Sequence, residues 1–245
     1  MESRQREDRP MGGDSRKPKR SEVRSVRTGR PPRALAGEVE ARILDAARIV
    51  FLEHGLAGAS MDEIAELAHA GKPTIYARFR GKKALFSAVV TLNIAAHVAR
   101  FEARAPTGAS MEERLVSMGT TVLHWALGAD TVGLMRLAIA EAHHFPDLAS
   151  RFHRMGRERA AEAAARLLGE VAQSDEFGTL PAFASERLVT TARFFLDLVL
   201  LPLLMRALLG EELKPLRAEI TPHIARSVPV FLAACRHNGV NWSPA

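Results

Sequence analysis

The sequence predicts an all-α protein: a small N-terminal helical domain followed by a larger helical one, with a polar arm in front. Three observations carry that reading. No stretch sustains the two-residue alternation of a half-buried strand. Apolar residues recur instead at steps of three and four over most of residues 36–236. The composition also changes abruptly near residue 35, from Arg, Lys, Ser, Pro and Gly to aliphatic-rich segments.

The arm, residues 1–35, holds eleven Lys and Arg against five Asp and Glu, which is the whole of the formal net charge of +6. It has too few aliphatics to offset the entropy of ordering, so it is expected to be flexible in the free protein. In residues 36–96, Val39, Ile43, Ala46, Ala47, Val50 and Phe51 share one face of a first helix that should end near His54, before Gly55. Ser60 opens a second helix as a capping box, its hydroxyl taking the Glu63 amide proton while Glu63 reaches back. Ile64, Ala65, Leu67 and Ala68 then face inward. After the break HAG comes a helix of about two turns, KPTIYARF, and after Arg80 and Gly81 a longer one, 82–104, with Leu85, Val89, Leu92 and Ala96 as its buried stripe.

Beyond APTGAS, in the region 97–245, long helices are expected at 111–127, 132–143, 146–173, 185–209 and 222–236. The segments LGADT, HFPD, SDEFGTLPAF and GEELKP read as loops.

A capped helix, a three-residue turn and a short basic helix outline a helix-turn-helix, whose second helix reads the major groove. Gly71 serves as N-cap, and Pro73 falls in the first turn, where a missing amide proton costs nothing. Ile75 and Phe79 turn toward the first two helices and leave Lys72, Thr74, Tyr76 and Arg78 outward. Lys72 and Thr74 lie near the end that enters the groove, Tyr76 can donate to a phosphate, and Lys82 and Lys83 can add phosphate contacts. A short helix merely solvated by its charges would show the same composition. The capped helix and turn before it favour the reader.

From Ile43 to Leu85 the residues ILDAARIVFLEHGLAGASMDEIAELAHAGKPTIYARFRGKKAL resemble the DNA-binding domain of TetR-family transcriptional regulators. The matching positions are Ala46, Ala47, Phe51, Gly55, Ile64, Ala65, Ala68, Thr74, Ile75, Tyr76, Phe79, Lys82 and Leu85. The resemblance implies that Thr74, Tyr76 and Lys82 touch DNA and that Lys72 and Pro73 occupy reader positions that vary between members. His69 departs from it, standing in the turn where glycine is usual; histidine tolerates a positive φ better than β-branched residues do. Gly71 likewise stands where serine is common. More loosely, LMRLAIAEAHHFPDLASRFHRMGRER (Leu134 to Arg159) is similar to AcrR-like or AefR-like members, which implies a ligand-binding and dimerising domain.

In the arm, Arg30 sits within TGRPPR, an extended segment suited to a narrow A·T-rich minor groove, although a solvated linker would look alike. An effector cavity would draw on Trp125, Met135, His144, Phe145, Phe152, Met155, Phe194 and Phe195, each of which also suits plain core. His143 and His144 beside Glu141 point in different directions on a helix, so they suit helix-end capping better than a metal. The nearly unbroken apolar run through Phe194 to Leu201 calls for a second copy to cover it.

Other classes find little support. The single Cys235 and the absence of metal-spaced Cys/His sets exclude disulfide and zinc frameworks and fit a reducing cytoplasm. No apolar leader is seen, and the run from Phe194 to Leu209 is short for a bilayer and interrupted by Asp197, Pro202 and Arg206, so no membrane partner is expected. No nucleophile elbow, phosphate-cradling loop or cofactor motif is present, so neither an enzyme nor a cofactor is expected. The reading is a cytoplasmic, homodimeric, ligand-responsive regulator of transcription on double-stranded DNA. Two reader helices about 34 Å apart would meet a near-palindrome, and an unknown small-molecule effector would change their spacing. An activator, a nucleoid-type binder, or a helical carrier or enzyme are the alternatives.

Overall fold

The computed structural model describes residues 33–144, 146–173 and 179–236, and among them every regular element is helical. The N-terminal domain contains α1 (Arg33–Gly58), α2 (Met61–Leu67), α3 (Lys72–Tyr76) and the start of α4 (Lys82–Glu102). There follow α5 (Met111–Ala126), α6 (Ala129–Ala140), α7 (Pro146–Gln173), α8 (Leu188–Leu208), α9 (Leu213–Ala218) and α10 (Ile220–Arg236).

Helix α1 begins at Arg33, three residues before the predicted start, and its helical geometry is broken at Gly55 (φ 70°, ψ 176°). That left-handed residue, readily adopted only by glycine, turns the chain toward α2. The first core collects Ile43, Ala47, Val50, Phe51, Ile64, Ile75, Leu85 and Phe86, all fully buried. Phe51 and Phe86 meet edge to face, with ring centroids 5.4 Å apart. Burying each such ring contributes about 1.5–3 kcal/mol.

The second core joins Leu115, Leu123, Leu168, Phe195, Val199, Ile224, Val228 and Phe231 from α5, α7, α8 and α10. The division between the cores falls within α4: Leu85, Phe86, Val89 and Val90 serve the first, Phe101 the second. Leu92, predicted to be buried, is 49% exposed, because the side of α4 that faces the N-terminal core runs through Phe86, Val90 and Ile94 and Leu92 lies off it. Helix α6 crosses the division in the other direction, placing Leu134, Leu137 and Ala138 on the first core.

Three further differences have local causes. Gly128 is extended (φ −65°, ψ 138°) and caps α6 three residues earlier than predicted. The predicted loop SDEFGTLPAF holds a 3₁₀ turn at Pro181–Phe183, and α8 begins at Leu188, three residues after the predicted start at 185. The predicted loop GEELKP contributes to α9, a helix too short to show periodicity. By length and composition, α4 and α8 are each apolar enough to cross a bilayer, which corrects the estimate of a short apolar run. Both pack against other helices of the fold, α4 against α1 and α7, and α8 against α7, α5 and α10.

Candidate nucleic-acid interface

The turn between α2 and α3 is built by backbone hydrogen bonds. Ser60 is extended and its Oγ accepts the Asp62 amide at 3.2 Å, while the Glu63 carboxylate lies 3.0 Å from His54 Nε2. The predicted reciprocal box is therefore replaced by a simple cap, with Glu63 tying α2 to α1. At the other end of α2, the His69 amide donates to Glu66 O and the Ala70 amide to Ala65 O, both at 3.0 Å. This is the Schellman pattern. It puts His69 at the left-handed position, and its φ is 48°, positive as the turn requires.

Gly71 is extended (φ −66°, ψ 142°) and caps α3, with Pro73 in the first turn. Ile75 and Phe79 are buried and fix the helix on the core. Lys72, Pro73 and Tyr76 are exposed and Thr74 is half-buried beside them. Those four residues form one outward face on a helix presented by a capped turn.

The other sequence-assigned contacts fare differently. The Arg78 guanidinium folds back to donate to Thr74 O at 3.1 Å. Lys82, assigned to DNA, gives two of its ammonium protons to Ala57 O and Ala59 O, each at 2.9 Å. These are carbonyls past the kink of α1, so Lys82 first of all fastens the end of α1 to the start of α4. Lys83 is exposed. Arg30 lies outside the described residues.

Among the effector candidates, those within the described residues have different immediate neighbours. Trp125 packs beside Phe101, edge to face at 5.8 Å, and His97, at 6.1 Å. Phe194 lies against Phe231 at 6.0 Å. Met135 is 37% exposed, His144 sits exposed in the turn after α6, and the side chain of Phe152 lies outside the described residues. Sequence reasoning passed over His97. Its Nε2 is 3.0 Å from the buried Thr131 hydroxyl, and its Nδ1 is buried with no partner among the described residues. Burial, aided by Arg100, pushes its pKa down against the opposing pull of Asp130.

Residues 43–89 match the model of bacterial regulatory proteins of the tetR family, and residues 113–236 match that of the AefR-like transcriptional repressor C-terminal domain. The chain belongs to the TetR family. The helix-turn-helix is thus the DNA-binding element of a transcriptional regulator of that family, and α5 to α10 its C-terminal domain.

Solved TetR-family structures share the architecture. A TetR-family transcriptional regulator from Mesorhizobium loti superposes with a TM-score of 0.70 at 24% identity, over 81% of this chain and 97% of that one. The flavonoid-responsive regulator FrrA gives 0.60 at 28%, again over 81% and 97%. A regulator from Pectobacterium atrosepticum gives 0.55 at 22%, over 87% and 100%. Among curated proteins there is no significant match.

One capping signal in this TetR-family chain is legible only in retrospect. Ser110 and Glu113 form the kind of cap that Ser60 was expected to form: Ser110 Oγ accepts the Glu113 amide at 3.2 Å, and Glu113 accepts the Ala109 amide at 2.6 Å. The same serine, two-residue spacer and glutamate could have announced it.

Proposed function

We propose that this TetR-family regulator is a repressor that binds a near-palindromic operator as a homodimer and lets go when a small molecule occupies its C-terminal domain. The observation that carries the reading is the open face of α3: Lys72, Pro73, Thr74 and Tyr76 project from a helix whose other side, Ile75, is fully buried. Polar donors on an anchored helix suit base edges and phosphates. The repressor sense draws support from the AefR-like repressor match of residues 113–236.

Support for the dimer comes from α8 and α10. Leu201, Met205 and Leu209 form a stripe at four-residue steps, exposed by 47%, 47% and 81%, and Val230 of α10 is exposed by 58%. A second copy presenting the same stripe would bury all of them. Phe194, half-buried on the same helix, then belongs with that face more than with a pocket.

Support for an effector site comes from the contact of α4, α5 and α6. Trp125 offers a flat apolar surface, and the unpartnered His97 Nδ1 offers one polar anchor, the combination small-molecule sites use. The flavonoid-responsive relative makes planar phenols the first effectors to try. Helix α6 would carry the response: Asp130 pairs with Arg48 of α1 at 2.5 Å, Thr131 meets His97 of α4, and Arg136 donates to Ala207 O of α8. An effector favouring one arrangement of α6 would shift the spacing of the two reader helices.

Lys72→Ala and Tyr76→Phe, titrated on operator and random duplexes, test the reader. Operator binding is expected to weaken by about 1–3 kcal/mol for a base contact, with a sequence-independent loss for a phosphate contact. Operator binding unchanged in both variants refutes the assignment.

A further inference from the structure

Lys72, at the first position of the reader helix, is not free in the unbound protein: its ammonium pairs with the Asp62 carboxylate from the first turn of α2. The pair is solvent-facing, with 53% of Lys72 and 65% of Asp62 exposed, so burial does not demand it. The cap of α2 does not demand it either, since Ser60 Oγ already accepts the Asp62 amide. The adjacent acid, Glu63, is turned the other way, toward His54.

A carboxylate here works against simple affinity. The helix preceding the reader crosses the phosphate backbone, and an anion there is repelled while it neutralises the one lysine best placed to enter the groove. The same arrangement favours discrimination. On a duplex with no guanine in register with Lys72, the lysine can gain only a phosphate, a point-charge contact that roughly replaces the one it gives up. On an operator it can gain the O6 and N7 acceptors of a guanine, which reward the exchange.

We propose that Asp62 is a specificity-determining residue, which masks Lys72 from phosphates and yields it only to a base that replaces the lost contact. The inference rests on α3 being the reader helix. Asp62 need not touch DNA; it acts through Lys72 and is a positioning residue.

The test uses the full chain and the variants Asp62→Asn, Asp62→Glu, Lys72→Ala and the double variant Asp62→Asn with Lys72→Ala. Each is titrated on a selected operator and on a scrambled duplex over a salt series, with thermal melts to report any loss of helix-dipole stabilisation at α2. Asp62→Asn is expected to bind the scrambled duplex about two- to fivefold more tightly, the scale of one exposed charge interaction. Its salt slope should steepen by about 0.9, one phosphate's worth. Operator binding should change less, so the operator-to-scrambled ratio falls. Asp62→Glu should restore the ratio, and Lys72→Ala should abolish most of the Asp62→Asn effect. An unchanged ratio and slope in Asp62→Asn overturns the proposal. So does an effect just as large without Lys72, which would make Asp62 a plain phosphate repeller. If Lys72→Ala leaves operator binding intact, the reader assignment falls and the proposal with it; a normal Lys72 loss with a silent Asp62→Asn removes the proposal alone.

Discussion

His69 holds a left-handed backbone (φ 48°) that costs an L-residue roughly 1–2 kcal/mol relative to its favoured regions. His69→Gly is therefore expected to raise stability by about 0.5–1 kcal/mol, after the entropy glycine adds to the unfolded chain; urea denaturation measures it. Lys82 makes the opposite case. Replacing it with Met should cost about 1–2 kcal/mol, since two carbonyls lose a charged donor. The salt slope of DNA binding should hardly move, whereas a phosphate contact by Lys82 would make it shallower. Cys235 is buried and its thiol pushed up to about 11 by desolvation, so alkylating reagents should label it only after unfolding. At this scale the positive φ at position 69 was legible, because a three-residue turn after a helix has few geometries. The Lys82 contacts were not, since Ala57 and Ala59 lie more than twenty residues away and only the packed angle between α1 and α4 brings them within reach.

Among the elements, α6 binds the two cores together. Its Gly133 is so close to α1 that an added Cβ would stand 2.6 Å from Leu52 Cδ2. Gly133→Ala must push the end of that leucine side chain aside, while alanine suits a helix interior better than glycine by about 1 kcal/mol, so thermal melts are expected to show a net change of no more than about 1 kcal/mol. It should also alter effector response more than operator affinity. Next to it, the α4–α6 contact is sensitive to acid. Burial lowers the His97 pKa below its usual 6.5, so the folded state prefers the neutral ring. The unfolded chain then binds more protons as the pH falls through about 6.5. Stability conferred by neutral His97 is present above that pH and lost below it, and His97→Gln should flatten this acid-side decline in a pH series of melts. Sequence periodicity located α7 to the residue because its pattern runs for 28 positions between loops. It missed the start of α6, where an extended glycine caps the helix without any side chain. It also missed the effector role proposed for His97, a polar residue among apolar neighbours that only the fold brings to Trp125 and Thr131.

For the whole molecule, two domains were legible from composition and motif, but not that α4 and α6 each belong to both. The claim that two copies act together predicts that Met205→Glu, placing charge in the exposed stripe of α8, yields monomers by sedimentation and weakens operator binding while the helical content stays. The central claim is sequence-selective binding by paired reader helices, and selection of bound fragments from a random duplex pool by the full chain tests it most directly. The account predicts a near-palindromic site whose half-sites lie about 10 base pairs, or a multiple of that turn, apart, lost in Lys72→Ala. Recovery of fragments with no shared motif, or a site indifferent to Lys72 and Tyr76, would contradict it.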